Sequence, residues 1–134
     1  MKKAKPQWCS RNIACPGPYL TLVFSQEELD RELYRLKIKE AVEWVRNAHS
    51  DASAHYFTAP DGKFCCIVAL RGWEKRSGIE LAGLLVHEAV HVWQVYAENI
   101  GETEPGKEQE PYAVQSIAQE LMAEFARRTG GIGA

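Results

Sequence analysis

The chain has no apolar run long enough to cross a bilayer, because Glu80, His87, Glu88, His91 and Gln94 interrupt its most apolar stretch. No membrane role is therefore expected. The basic start, Met1-Lys2-Lys3-Ala4-Lys5-Pro6, is not followed by an apolar h-region, so no secretory signal is expected either. Net charge is −2 with acidic and basic residues interspersed, which removes the basic footprint that nucleic-acid binding needs. Repeats, low-complexity segments and runs of like charge are absent. Also missing is any C-x-x-C pair: the cysteines are Cys9, Cys15, Cys65 and Cys66. On a strand, Cys65 and Cys66 point to opposite faces, which disfavours a disulfide between them. All four are read as reduced thiols of a cytoplasmic protein. A second metal site from Cys9, Cys15 and one of the later pair is the weaker alternative, since zinc ligands usually come in closer pairs.

What is present is one domain's worth of chain. At 134 residues and 46% apolar composition, residues 1–134 suffice for a single domain with its own core. Residues 1–17, with Pro6 and Pro16 and with Pro18 just beyond, read as an irregular arm, and 130–134 as a flexible tail. Tyr19 to Phe24 is a short β-prone run. Ser25-Gln26-Glu27-Glu28 has capping-box spacing, and a helix is expected from there to about His49, with Leu29, Leu33, Leu36, Ile38, Ala41, Val42 and Val45 inward. His55 to Thr58 and Phe64 to Leu70 flank Pro60-Asp61-Gly62, the pattern of a hairpin. A second capping box, Ser77-Gly78-Ile79-Glu80, opens a helix to about Asn99 or Ile100. A last helix is expected from Lys107 to Arg128. The order implies an α+β domain with a small sheet packed on the central helix and two further helices.

The central helix contains His87-Glu88-Ala89-Val90-His91, an H-E-x-x-H pattern. Histidines four apart lie one turn above each other, so both imidazoles reach one metal ion, and the intervening glutamate is placed to act on a metal-bound water. At about 100° per residue, Glu80, His87, His91, Gln94 and Glu98 form one polar stripe, with Gly83 a turn before His87. A plain wet face accounts for a polar stripe but not for two of four histidines at metal spacing. A catalytic zinc site needs a third protein ligand. By helical phase Glu110 falls in the apolar stripe of the last helix (Ala113, Val114, Ile117, Ala118, Leu121, Phe125). Glu120 lies at its edge, Glu108 opposite and Glu104 in the loop. A carboxylate aimed at a core calls for a compensating cation. The competing reading of Glu110 is an exposed first-turn acid favoured by the helix dipole, a location that Pro111 also fits.

His87-Glu88-x-x-His91 followed after eighteen residues by Glu110 resembles the gluzincin branch of zincin metallopeptidases, over about a quarter of the chain. In scale the chain is similar to compact zincin-like proteins of bacteria and phages. The resemblance implies a zinc-dependent peptidase acting on a peptide or protein, with His87, His91 and Glu110 as Zn²⁺ ligands and Glu88 as general base. It also implies an edge strand that pairs with substrate, for which Phe64–Leu70 is the candidate. Val114 stands where thermolysin-like members carry a histidine-orienting aspartate, so that support is expected from Glu80 or Glu98. Tyr112, Tyr96, Arg71 and His55 are candidate donors to an oxyanion, and Trp73, Trp93, Tyr96 and Phe125 are core or cleft lining. Two other functions stay open: a zincin-fold binding protein with a structural or vestigial metal site, and a helical interaction module without metal.

Overall fold

The computed structural model describes residues 4–9, 18–47, 49–102, 104 and 106–132. Its elements are β1 (Tyr19–Val23), α1 (Gln26–Arg35), β2 (Ala52–Thr58), β3 (Phe64–Leu70), a 3-10 turn (Trp73–Lys75), α2 (Gly78–Asn99) and α3 (Gln109–Thr129). This is an α+β arrangement: a three-stranded sheet of order β1-β3-β2 between helices, with β1 parallel and β2 antiparallel to β3.

The β2–β3 hairpin turns where Pro60-Asp61-Gly62 stands. Gly62 has φ +91°, and the Asp61 carboxylate accepts from Lys63 N–H at 3.0 Å. The uninterrupted apolar run of β3 has a simple cause: it is the central strand and buried on both faces. Cys66, Val68 and Leu70 pack with Leu85, Trp93, Leu121 and Phe125 of α2 and α3. Ile67 and Ala69 pack on the other side with Leu29 and Leu33 of α1 and with Val45. Because β3 is central, it is not the free edge that a substrate strand would need; the edges are β1 and β2.

Helix α1 starts where the capping box predicts, with Ser25 Oγ accepting from Glu28 N–H at 3.1 Å. It ends at Arg35 rather than near His49. Leu36 caps it and Lys37 takes φ +60°, reversing the chain. Leu36 and Ile38 are two apart, out of helical phase, and Ile38, Val42 and Val45 are β-branched, which weakens helix propagation. The segment after Lys37 still packs Ile38, Val42 and Val45 on the α1 side of the sheet, without helical hydrogen bonds. Gln26 substitutes for some of them: its side chain donates to Val42 O at 2.8 Å and accepts from Trp44 N–H at 3.0 Å.

Residues 4–9 lack regular secondary structure, as expected, but they are docked. Trp8 Nε1–H donates to the buried Glu32 carboxylate at 2.9 Å, and Gln7 N–H to the buried Glu124 carboxylate at 2.8 Å. Cys15, with the rest of 10–17, lies outside the described residues. Arg128 closes this side of the molecule. Its side chain is 1% exposed, pairs with Glu28, donates to Ala4 O and Leu22 O, and lies 4.1 Å from the Phe24 ring centre. Arg128→Ala would leave the Glu28 carboxylate with only its bond from Phe24 N–H and release Ala4 O, while Gln7 and Trp8 stay docked. Because Glu28 keeps some solvent contact, a loss of about 2 kcal/mol is expected, below the range for a fully buried pair, read as a lower urea midpoint.

Candidate metal and catalytic site

Helix α2 begins with the predicted capping box in full: Ser77 Oγ accepts from Glu80 N–H and Glu80 Oε1 from Ser77 N–H, both at 3.1 Å. Glu80 is thus committed to the helix start, and these bonds hold its carboxyl below the usual carboxylate range. It does not orient a histidine, and Glu98 sits exposed at the far end of α2. The expected support from either residue is not found. An added Cβ at Gly83 would meet nothing within 4 Å, so glycine there leaves space open rather than relieving a clash.

The polar stripe of α2 is solvent-facing at His87 and His91, and their rings converge. The two Nε2 atoms are 3.2 Å apart, with ring centres at 4.8 Å and planes at 72°. Two imidazole nitrogens bound tetrahedrally at about 2.0–2.1 Å to one zinc stand about 3.3 Å apart. The same separation serves a direct hydrogen bond when one ring carries its proton on Nε2. Either way, the two Nε2 atoms are close enough to share one ion once neither carries a proton.

Glu88 differs from its neighbours. It is 6% exposed, yet among the described residues no hydrogen bond or ion pair holds its carboxylate. Burial raises its pKa above the usual carboxylate value, opposed by the charges of His87, His91 and Arg46. The three residues open on a cavity of about 410 Å³ whose other wall is β2 and the segment before it, including Arg46, Asn47, Ser50, Ser53 and Tyr56.

Glu110 does not join them. It is exposed in the first turn of α3 and lines a different hollow with Gly106, Lys107, Pro111 and Val114. Among the described residues no three His, Cys, Asp or Glu side chains are gathered as a metal site. Helical phase puts Glu110 in line with the α3 stripe, but the buried residues of α3 run from Ala113 to Phe125 and stop short of it. The acid that does lie on that stripe is Glu124, held by Arg127 and Gln7. Glu120 approaches Cys9 and Glu124 in another hollow.

None of the four expected oxyanion donors lines the cavity. Tyr96 is in the core, Tyr112 is exposed, and Arg71 binds Ser50 O, Asn47 O and Asp51. His55 is buried, donating from Nε2 to Trp44 O at 2.8 Å and accepting at Nδ1 from Arg46 Nη2 at 2.9 Å. The residues that sequence reasoning missed are Tyr56 and Arg46. The signal for Tyr56 is the alternation Ala52, Ala54, Tyr56 on the α2 side of β2, visible once the strand starts at Ala52 rather than His55. Burial, then nearby Cys66 and Glu88, push the Tyr56 phenol pKa well above its ordinary value, so it stays an O–H donor.

Burial also lowers the pKa of His55, reinforced by Arg46 and opposed by its bond to Trp44. A folded pKa below the unfolded value of about 6.5 means the unfolded chain binds the proton first as pH falls. Stability from this group is present above about pH 6.5 and is lost as pH drops through the lower folded value. Urea midpoints at pH 7.5 and 5.0 should therefore separate more in wild type than in His55→Gln.

No helix among the described residues is long and apolar enough to cross a membrane. Comparison of the chain with protein-family models, with curated proteins and with solved structures gives no match.

Proposed function

We propose that the chain is a zinc-dependent peptide-bond hydrolase acting at the cavity between α2 and β2. The observation that carries this is the Glu88 carboxylate, on a largely buried residue but open to the cavity and held by no protein partner among the described residues, beside two histidines whose Nε2 atoms lie at metal-ligand separation. His87 and His91 would hold the ion, with Glu110 as the third donor. Bringing Glu110 to the pair requires the first turn of α3 to shift. That turn is weakly secured: its N-cap, Glu108, makes no side-chain cap bond, and Glu110 N–H reaches Gly106 O only at 3.4 Å.

When bound, the ion supplies Lewis acidity that makes a water more acidic and a carbonyl more electrophilic. Glu88 takes a proton from the attacking water on its carboxylate and returns it to the nitrogen of the breaking C–N bond. A base with raised pKa suits both halves of that exchange. The Tyr56 O–H is available to donate to the oxygen that gains charge. The free thiols of Cys9, Cys65 and Cys66 agree with a reducing, cytoplasmic setting.

The second reading is a binding protein with a structural or vestigial metal site that acts through a partner; it needs no third ligand, and none is gathered among the described residues. A site of that kind has no use for an unpaired carboxylate facing the cavity, which is why hydrolysis is placed first. The test is Glu88→Gln beside wild type, with zinc content and peptide cleavage both measured. Cleavage that survives the substitution sinks the hydrolase reading, as does a wild type that cleaves nothing when loaded with zinc.

A further inference from the structure

The outer edge of β2 is covered along part of its length by the chain that precedes it. Ser50 Oγ donates to Ala52 O at 2.8 Å, Arg46 N–H to Ser53 Oγ at 3.1 Å, and Arg46 Nη2 to Ala54 O at 2.7 Å. The His55 ring, bonded to both Trp44 O and Arg46 Nη2, fixes this segment in place. An extended peptide pairing with β2 beside Glu88 therefore meets occupied backbone groups from Ala52 to Ala54 and a guanidinium across its path. Strand pairing along β2 is blocked at that end.

Arg46 also has capacity to spare. A guanidinium carries five N–H donors, and the two bonds to Ala54 O and His55 both come from Nη2. Among the described residues no carboxylate lies within ion-pair distance of Arg46. Among the described residues nothing accepts from Nε–H or the two Nη1–H groups, which are left for a ligand; Asn47, Ser50 and Ser53 beside them carry no charge, and the one carboxylate lining the cavity, Glu88, lies beyond ion-pair distance. Arg46 is solvent-exposed at the rim of the cleft, and a planar fork with free donors there matches a carboxylate.

We propose that Arg46 binds the C-terminal carboxylate of the substrate, so that the enzyme acts near peptide C-termini instead of within long chains. This rests on the hydrolase reading and deepens it. Water adds its hydroxyl to the carbonyl carbon and its proton, by way of Glu88, to the amine nitrogen; the C–N bond breaks and a short C-terminal fragment leaves. His55 acts as a positioning residue, holding Arg46 without touching substrate.

The experiment uses zinc-supplied Glu88→Gln protein, which binds without turnover, and a mixture of N-acetylated pentapeptides in free-acid and C-amide forms. Tighter binding of the free acid by about tenfold is expected from a charge-assisted fork. That advantage should vanish in the Glu88→Gln, Arg46→Ala double variant and shrink with Arg46→Lys, which keeps the charge but loses the fork. Circular dichroism confirms that each variant is folded, and Arg46→Lys serves if Arg46→Ala is not. Equal affinity for acid and amide, no binding of either, or an acid preference that survives loss of Arg46 would overturn the proposal. The two readings fail separately. A free-acid preference without cleavage by wild type removes the hydrolase and keeps the carboxylate site. Cleavage of internal bonds in amidated peptides keeps the hydrolase and removes the terminal specificity.

Discussion

Glu88→Gln is expected to lower peptide hydrolysis by about a thousandfold, within the range that positioned acid–base groups contribute, while leaving zinc content unchanged. Gln fills the same volume but cannot accept the water's proton. The same substitution should raise the stability of the metal-free protein by on the order of 1 kcal/mol, the usual size of such functional trade-offs. The reason is local. Glu88 is buried without a hydrogen-bond partner among the described residues, and burial penalises its charged form more than any neighbour relieves it. A neutral amide does not carry that charge. Paired measurement of activity and urea midpoint separates mechanism from damage: a misfolded variant loses both, whereas the expected one loses activity and gains stability. An unchanged or lower midpoint in a folded, inactive variant would mean that Glu88 is better solvated than its burial implies.

The parts of this fold that could be read in the sequence are those set by local chemistry. Ser25 and Ser77 cap their helices because a hydroxyl next to free N–H groups needs no tertiary context. The turn at Asp61-Gly62 forms for a similarly local reason. Residues 36–47 were misread because apolar spacing reports only that side chains point inward. Ile38, Val42 and Val45 do so from irregular chain whose backbone partners come from elsewhere, Gln26 for Val42 O and Trp44 N–H and Ser53 and His55 for others, none with a periodicity to reveal it. Strand order was likewise hidden. Phe64–Leu70 is apolar because it is central, and centrality is what disqualifies it as a docking edge. At the site, the two histidines and Glu88 share one helix and were legible from spacing alone. Tyr56 and Arg46 belong to the opposite wall, brought there by the hairpin and the chain before it, and no pattern within α2 points to them.

Metal binding gives the second large effect. Wild type supplied with zinc is expected to hold one ion per chain, and His87→Ala and His91→Ala each to weaken binding by a hundredfold or more, since losing a first ligand exceeds the about 10–100-fold cost of losing a group that merely orients one. Calorimetric titration with ZnCl₂ against a competing chelator reads this directly. Glu110→Ala is the more informative variant. Two imidazoles supply no negative charge, so a third ligand that is a carboxylate should be worth about tenfold or more in affinity by the same comparison. Glu110 starts exposed and away from the pair, and the α3 turn that carries it has no side-chain cap. Zinc should therefore increase hydrogen-exchange protection at residues 107–113 in wild type, and not in Glu110→Ala. Affinity and protection lost together would mean that the ion itself orders the start of α3, coupling metal uptake to completion of the site. Tight zinc binding untouched by Glu110→Ala would leave a two-histidine site and remove Glu110 from it. A wild type that takes up no zinc would leave His87 and His91 as an exposed hydrogen-bonded pair on α2, and the hydrolase reading would go with the metal.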